Sequence, residues 1–171
     1  MTASYDLSQL NVLLADDNDN TRYLLAVILR SLGIVHLKEA SDGEEAYRRF
    51  EHGDYDLVIT DQVMEPMSGL DLTRKIRREA GGDKRYVPVI MVTGHTEEER
   101  VLAARDAGVT EILAKPVSPN SVLQRIVSVI ESGRQFVDAH EYVGPDRRRF
   151  KHVQYDGALR RGSDAGAEPD P

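Results

Sequence analysis

The sequence predicts a doubly wound α/β fold, a parallel β-sheet with helices on both faces. Three observations lead there. Five short apolar runs alternate with five amphipathic stretches. The runs that start at Asn11, Leu57 and Val87 are almost continuously apolar, as strands buried on both faces are. The stretches between the runs carry apolar residues at helical spacing and capping residues at their ends. Strands that alternate with helices need right-handed crossovers, and these place helices on both faces of a parallel sheet.

The elements follow in order. After the first run, Asn11–Ala15, the residues Leu24, Leu25, Ile28, Leu29 and Leu32 share one helical face, and Gly33 caps its end. The second run, 35–40, precedes a helix that turns Ala46, Tyr47 and Phe50 inward and closes at Gly53. The third, 57–60, is followed by Leu72, Ile76 and Ala80, ahead of Gly81 and Gly82. After the fourth, 87–92, Thr96 and Glu99 make a capping box in front of Val101 and Leu102. The fifth, Glu111–Ala114, leads to Ser118 as a cap and Pro119 at the first helical position. Val122, Leu123, Ile126, Val127 and Ile130 are that helix's expected inward stripe. Residues 134–171 show no sustained period and end in a Gly, Ala, Asp and Pro mixture typical of disorder.

Bulk properties narrow the function. The 171 residues suit one domain plus a tail, and 40% hydrophobic residues suffice for a packed core. A net charge of −7 argues against non-specific nucleic-acid binding by the whole chain. The tail from Arg134 holds equal numbers of acidic and basic residues, so the acidity lies in residues 1–133. With no cysteine, disulfides and thiolate metal sites are excluded. No apolar run reaches the roughly 20 residues of a membrane helix. Residues 1–9 lack the basic start and apolar stretch of a signal peptide, so a cytoplasmic location is expected.

In a doubly wound sheet, ligands bind beyond the carboxyl ends of the strands. The first run ends in Asp16 and Asp17, the third in Asp61, the fourth in Thr93 and the fifth in Lys115. Singly, these read as a helix cap, a turn aspartate, a strand threonine and a loop lysine. Together they set three carboxylates, a hydroxyl and an ammonium around one pocket. Clustered carboxylates repel unless a cation neutralises them, and an all-oxygen set suits Mg²⁺. A carboxylate beside Mg²⁺ is a competent nucleophile toward a phosphoryl group, whose oxygens the hydroxyl and lysine can hold.

The motifs NVLLADD (11–17), LVITDQVMEPMSG (57–69), VIMVTGH (89–95) and EILAKP (111–116) resemble the receiver domain of two-component response regulators. The resemblance covers about residues 10–133. It implies a flavodoxin-like sheet of order 2-1-3-4-5 and a phosphoryl group accepted on Asp61. It further implies that Asp17 and Asp61 bind Mg²⁺ directly, Asp16 through water and Val63 through its backbone carbonyl. Thr93 is then expected to bond the phosphoryl group and relay the switch, and Lys115 to pair with its oxygens. Val63 and His95 occupy the positions that modulate attack by water. The expected donors are a sensor histidine kinase or a histidine phosphotransfer protein in a phosphorelay, and the output is a downstream protein partner. Such a domain assists its own phosphorylation and dephosphorylation but is not a classical enzyme. Two positions depart from the pattern. Ile112 stands where the family has an aromatic switch residue, and Pro66 follows Glu65 instead of Met64 directly.

Two rivals fare worse. An aspartate-nucleophile phosphatase needs a second aspartate two residues after Asp61, where this chain has Val63. A DNA-binding regulator has only Arg147, Arg148 and Arg149 in its favour. The tail divides into 134–155, a docking extension, and 156–171, a disordered end. Phe136, Tyr142, Phe150 and Tyr155 are out of place in a pure linker, and Gly144, Pro145 and Asp146 read as a turn. Its binding partner is left open between its own body, a second copy in a homodimer and a downstream protein.

Overall fold

The computed structural model describes residues 5–95, 97–132, 136–139 and 142–145. Five parallel strands form one sheet in the order β2-β1-β3-β4-β5. They are β1 Asn11–Ala15, β2 His36–Ala40, β3 Leu57–Asp61, β4 Val89–Thr93 and β5 Glu111–Ala114. The crossovers carry α1 Asp19–Ser31, α2 Gly43–His52, α3 Gly69–Glu79 and α4 Glu98–Ala107, and α5 Pro119–Ser132 follows β5. A 3₁₀ turn, Gly82–Tyr86, leads into β4. No helix among the described residues is long and apolar enough to cross a membrane.

The continuously apolar runs became the central strands because both their faces are covered. Val12, Leu14, Ile59, Ile90 and Val92 point to a layer closed by Leu25 and Leu29 of α1 and Val122 and Ile126 of α5. Leu13, Ala15, Val58 and Val89 point the other way, against Tyr47 and Phe50 of α2 and Leu72 and Ile76 of α3. β2 lies at the sheet edge, and its outer residues alternate between exposed and half-buried.

The caps are local devices; Ser118 stands where the sequence predicts one, whereas α1 is capped by Asn18 and not by Asp16 or Asp17. Asn18, Asp42, Ser68 and Ser118 each accept a backbone N–H three residues on, at 2.7–3.1 Å. Gly33 follows α1 at φ 95, in the left-handed region. The α4 start differs. Its N-cap is Glu97, without a side-chain cap bond, and Thr96 lies outside the described residues.

The edges of the helical stripes also differ from expectation. Leu24, Leu102 and Ile130 face solvent. Residues one or two positions away line the core instead: Leu25 and Ala26 in α1 and Ala104 in α4, with Val129 of α5 partly buried against it. How much of a stripe is covered depends on the elements that pack beside it, and periodicity alone does not report that.

Beyond α5, two short strands pair antiparallel, β6 Phe136–Ala139 with β7 Tyr142–Pro145. Gly144 and Pro145, expected in a turn, lie in β7 opposite Val137 and Phe136; Asp146 lies outside the described residues. Pro145 ends the strand, where its missing N–H costs least. The hairpin packs on α3 and α4 at the end of the sheet opposite the strands' carboxyl ends.

Arg77 of α3 anchors it. This side chain is 1% exposed and has no carboxylate partner among the described residues. Its guanidinium donates to the carbonyls of Gly108 (3.1 and 2.9 Å), Arg85 (2.6 Å) and Val87 (2.7 Å). The ring of Phe136 lies over it, 5.0 Å from Cζ. Burial pulls its pKa down to about 10, so it stays charged at neutral pH. Asp138 accepts from Arg85 and the Tyr86 hydroxyl, both at 3.1 Å. Gly144 approaches Gly108 so closely that a Cβ on Gly144 would lie 2.8 Å from the Gly108 Cα.

Candidate functional site

Parallel strands present all their carboxyl ends at one edge of the sheet. Order 2-1-3-4-5 reverses direction between β1 and β3, which opens a crevice between those ends. Asp16 and Asp17 follow β1 there, Asp61 closes β3, Thr93 closes β4 and Lys115 follows β5. The structure therefore brings together all five residues chosen from the sequence.

The carboxylates of Asp16, Asp17 and Asp61 converge, with one oxygen from each within 4.8 Å of the others. Asp61 is buried. Its Oδ1 lies 2.7 Å from Lys115 Nζ, and its Oδ2 accepts the Val63 N–H at 3.0 Å. Asp16 is also buried. Its Oδ1 accepts the Asn18 N–H at 2.8 Å, while Oδ2 has no partner among the described residues. Burial pushes the Asp16 carboxyl above the usual carboxylate range; Asp61 and Asp17 add to the rise, and Asn18 and Lys115 oppose it. A buried carboxylate with an unpartnered oxygen, clustered with two further carboxylates, is poorly satisfied by protein alone. The same donor set suits a hard divalent cation with oxygen ligands.

The loop after β3 is held from both sides. The Gln62 N–H donates to Val92 O at 2.9 Å, and Gln62 O accepts from Gly69 N at 3.0 Å. Gly69 has to be glycine here: a Cβ would lie 2.1 Å from the carbonyl oxygen of Asp61. The start of α3 thereby clamps the backbone that carries Asp61.

Thr93 is buried, and its hydroxyl sits in a small network. It donates toward the side-chain oxygen of Gln62 and toward His95 O at 3.0 Å, and it accepts the His95 N–H at 2.9 Å. Gln62 is a residue that sequence reasoning missed. The only signal was its place immediately after Asp61, and a glutamine there gives no hint of its direction.

The modulating candidates lie apart from one another. Val63 is 57% exposed, beside the pocket. The His95 ring is exposed, with Nδ1 3.8 Å from Glu97 Oε1. Ile112 is half-buried with Leu70 against Met91, Ala104 and Val109. It pairs with Met91, whereas Thr93 pairs with Ala114, so Ile112 lies two residues short of the Thr93 level on β5.

Fold and site together define a flavodoxin-like α/β domain with an acidic pocket at its switch point. The family model described as "Response regulator receiver domain" matches residues 12–127. The chain is 32% identical over 122 residues to chemotaxis protein CheY-3 of Vibrio cholerae, covering 71% of this chain and 92% of that one. It superposes with TM-score 0.62 and 31% identity on the receiver domain of the Pseudomonas aeruginosa sensor histidine kinase PA1611, covering 70% of this chain and 95% of that one. That receiver holds a magnesium ion in its active-site cleft. It also superposes with TM-score 0.62 and 30% identity on the CheX-CheY-BeF3-Mg complex of Borrelia burgdorferi, covering 71% and 89%. The chain belongs to the response regulator receiver family. Receiver domains are signalling domains and not classical enzymes.

Proposed function

We propose that this receiver accepts a phosphoryl group on Asp61 from a phosphohistidine of a sensor kinase or phosphotransfer protein. The observation that carries the reading is the Lys115 ammonium 2.7 Å from the Asp61 carboxylate, in a pocket shared with Asp16 and Asp17. An Asp61 oxygen attacks phosphorus, the P–N bond to the donor imidazole breaks, and the imidazole leaves with a proton. Hydrolysis reverses the modification: water attacks phosphorus, the Asp61 O–P bond breaks, and inorganic phosphate departs. Lys115 and the Thr93 hydroxyl hold the phosphoryl oxygens in both steps.

Asp16, Asp17, Asp61 and the Val63 carbonyl would hold Mg²⁺, which supplies neutralisation of the clustered negative charge. The magnesium in the PA1611 receiver supports this reading. Output is proposed to run through protein–protein contact, in keeping with the CheX-CheY complex of the Borrelia relative. Residues 134–155 are proposed as a docking extension, with their first part seated on the chain's own α3 and α4.

Incubation with Mg²⁺ and acetyl phosphate should label the wild type and leave Asp61→Asn unlabelled. Stoichiometric label in Asp61→Asn, mapped to another aspartate, would refute the assignment. Val63 and His95 are proposed to set the lifetime of the label. Equal decay in wild type, Val63→Asn and His95→Ala would remove them from that role.

A further inference from the structure

The Thr93 hydroxyl has one proton, and that proton is already engaged. It points toward the Gln62 side-chain oxygen and His95 O, while the His95 N–H occupies one lone pair of Oγ1. A phosphoryl oxygen on Asp61 is acceptor-only and would claim the same proton. Gln62 Oε1 would then lose its donor inside the protein, an arrangement costly enough to weaken the phosphorylated state about tenfold. The Gln62 backbone is pinned between Val92 and Gly69, so the side chain does not withdraw by a loop shift. Its carboxamide can, however, turn about its last torsion. It then offers Nε2–H to the second lone pair of Oγ1, and Oε1 takes the place of Nε2, which is not among the fully buried atoms left without a partner.

We propose that Gln62 is a positioning residue for Thr93: its amide oxygen holds the Thr93 proton in the resting chain, and its amide nitrogen donates to Thr93 once Asp61 is phosphorylated. The proposal rests on the phosphoacceptor reading above. Glutamine suits the place because it is the one side chain of that length that both accepts and donates through a simple turn. Glutamate accepts only, and methionine does neither at nearly the same volume.

The test uses the full chain at pH 8 with Mg²⁺ and beryllofluoride as the phosphoryl mimic. Gln62→Glu should weaken beryllofluoride binding about tenfold or more, whereas Gln62→Met should stay within about threefold of wild type. Thermal melts confirm that both variants fold. In a Thr93→Val background the Gln62→Glu loss should shrink to what charge repulsion alone leaves. By NMR, the side-chain NH₂ pair of Gln62 should split further on adding beryllofluoride, with one proton moving downfield. Equal losses in Gln62→Glu and Gln62→Met, an unchanged loss in the Thr93→Val background, or unmoved Gln62 NH₂ resonances would each overturn the proposal. If wild type itself fails to bind beryllofluoride with Mg²⁺, the phosphoacceptor reading falls first. Normal wild-type binding with indifferent variants tells against Gln62 alone.

Discussion

The ammonium of Lys115 stands 2.7 Å from Oδ1 of Asp61, joining the end of the fifth strand to the end of the third across the intervening β4. Asp61 is almost fully covered, and Lys115 is about one-third exposed. The cation is thus pre-set beside the proposed phosphoacceptor but open to an incoming anion.

Lys115→Ala should slow phosphorylation by acetyl phosphate on the order of 100-fold, the usual cost of removing one pre-set donor to developing charge. Lys115→Arg should recover part of that loss at most, because a planar fork does not reproduce a point charge. The check is the rate of label incorporation; wild-type rates in Lys115→Ala would remove the lysine from the chemistry.

Asp16 and Asp61 oppose each other in the resting pocket. Asp16→Asn should therefore stabilise the chain in EDTA, because burial and like charge both disfavour the Asp16 carboxylate. The same variant should lose most of the stabilisation that Mg²⁺ gives wild type, about 2.7 kcal/mol at 100 times its Kd. Urea titrations with and without Mg²⁺ measure both. An equal Mg²⁺ effect in the two proteins would show that Asp16 takes no part in holding the ion.

The hairpin is tied to the body through Arg77 and through the contact of Gly144 with Gly108. Gly144→Ala should undock it, because the added Cβ meets the Gly108 backbone, which cannot swing aside as a side chain can. Loss of about 1–3 kcal/mol is expected, with Phe136→Ala in the same range. Truncation after Ser132 should lower the melting temperature yet leave labelling of Asp61 intact, since the hairpin sits at the opposite end of the sheet. An unchanged melting temperature in all three would mean that the hairpin contributes nothing to stability.

Glu45 supplies a pH dependence away from the site. Its carboxylate accepts the Ser41 N–H at 2.8 Å and the Arg49 guanidinium at 2.7 Å, while its own N–H is capped by Asp42. The Ser41 N–H first, then Arg49 and the Ser41 hydroxyl, hold its pKa down to about 2. A carboxylate lowered on folding stabilises the native state above its unfolded value, about 4.3, and loses that contribution as pH falls toward 2. With the side chain 26% exposed, screening leaves a contribution of about 1 kcal/mol. The stability gap between wild type and Glu45→Gln should be widest above pH 5 and should close between about pH 4.3 and 2. A gap independent of pH would place the effect elsewhere.

Some of this molecule could be read without coordinates. The strands, the alternation with crossover helices and the start of α5 are set by neighbours in the chain. An apolar run buries itself, and an Asn, Asp or Ser before a helix caps the N–H groups that follow it. The pocket was legible for the same reason. Once strands alternate with helices, Asp16, Asp17, Asp61, Thr93 and Lys115 have to come to one edge, whatever the details of packing. Other features depend on residues far apart in the sequence, and only the tertiary structure decided them. Whether Leu24 or Ile130 meets solvent depends on which element lies beside it. The burial of Arg77 depends on carbonyls 8 to 31 positions away and on an aromatic ring beyond α5. Gly144 reads as a turn residue until Gly108, 36 positions earlier, is seen against it. The aim of Gln62 at Thr93 needs the register of β3 on β4, which pairs Asp61 with Val92. Local sequence carries propensity and period, whereas side-chain partners across a sheet or under a hairpin are chosen by packing, and packing is settled only when the whole chain has folded.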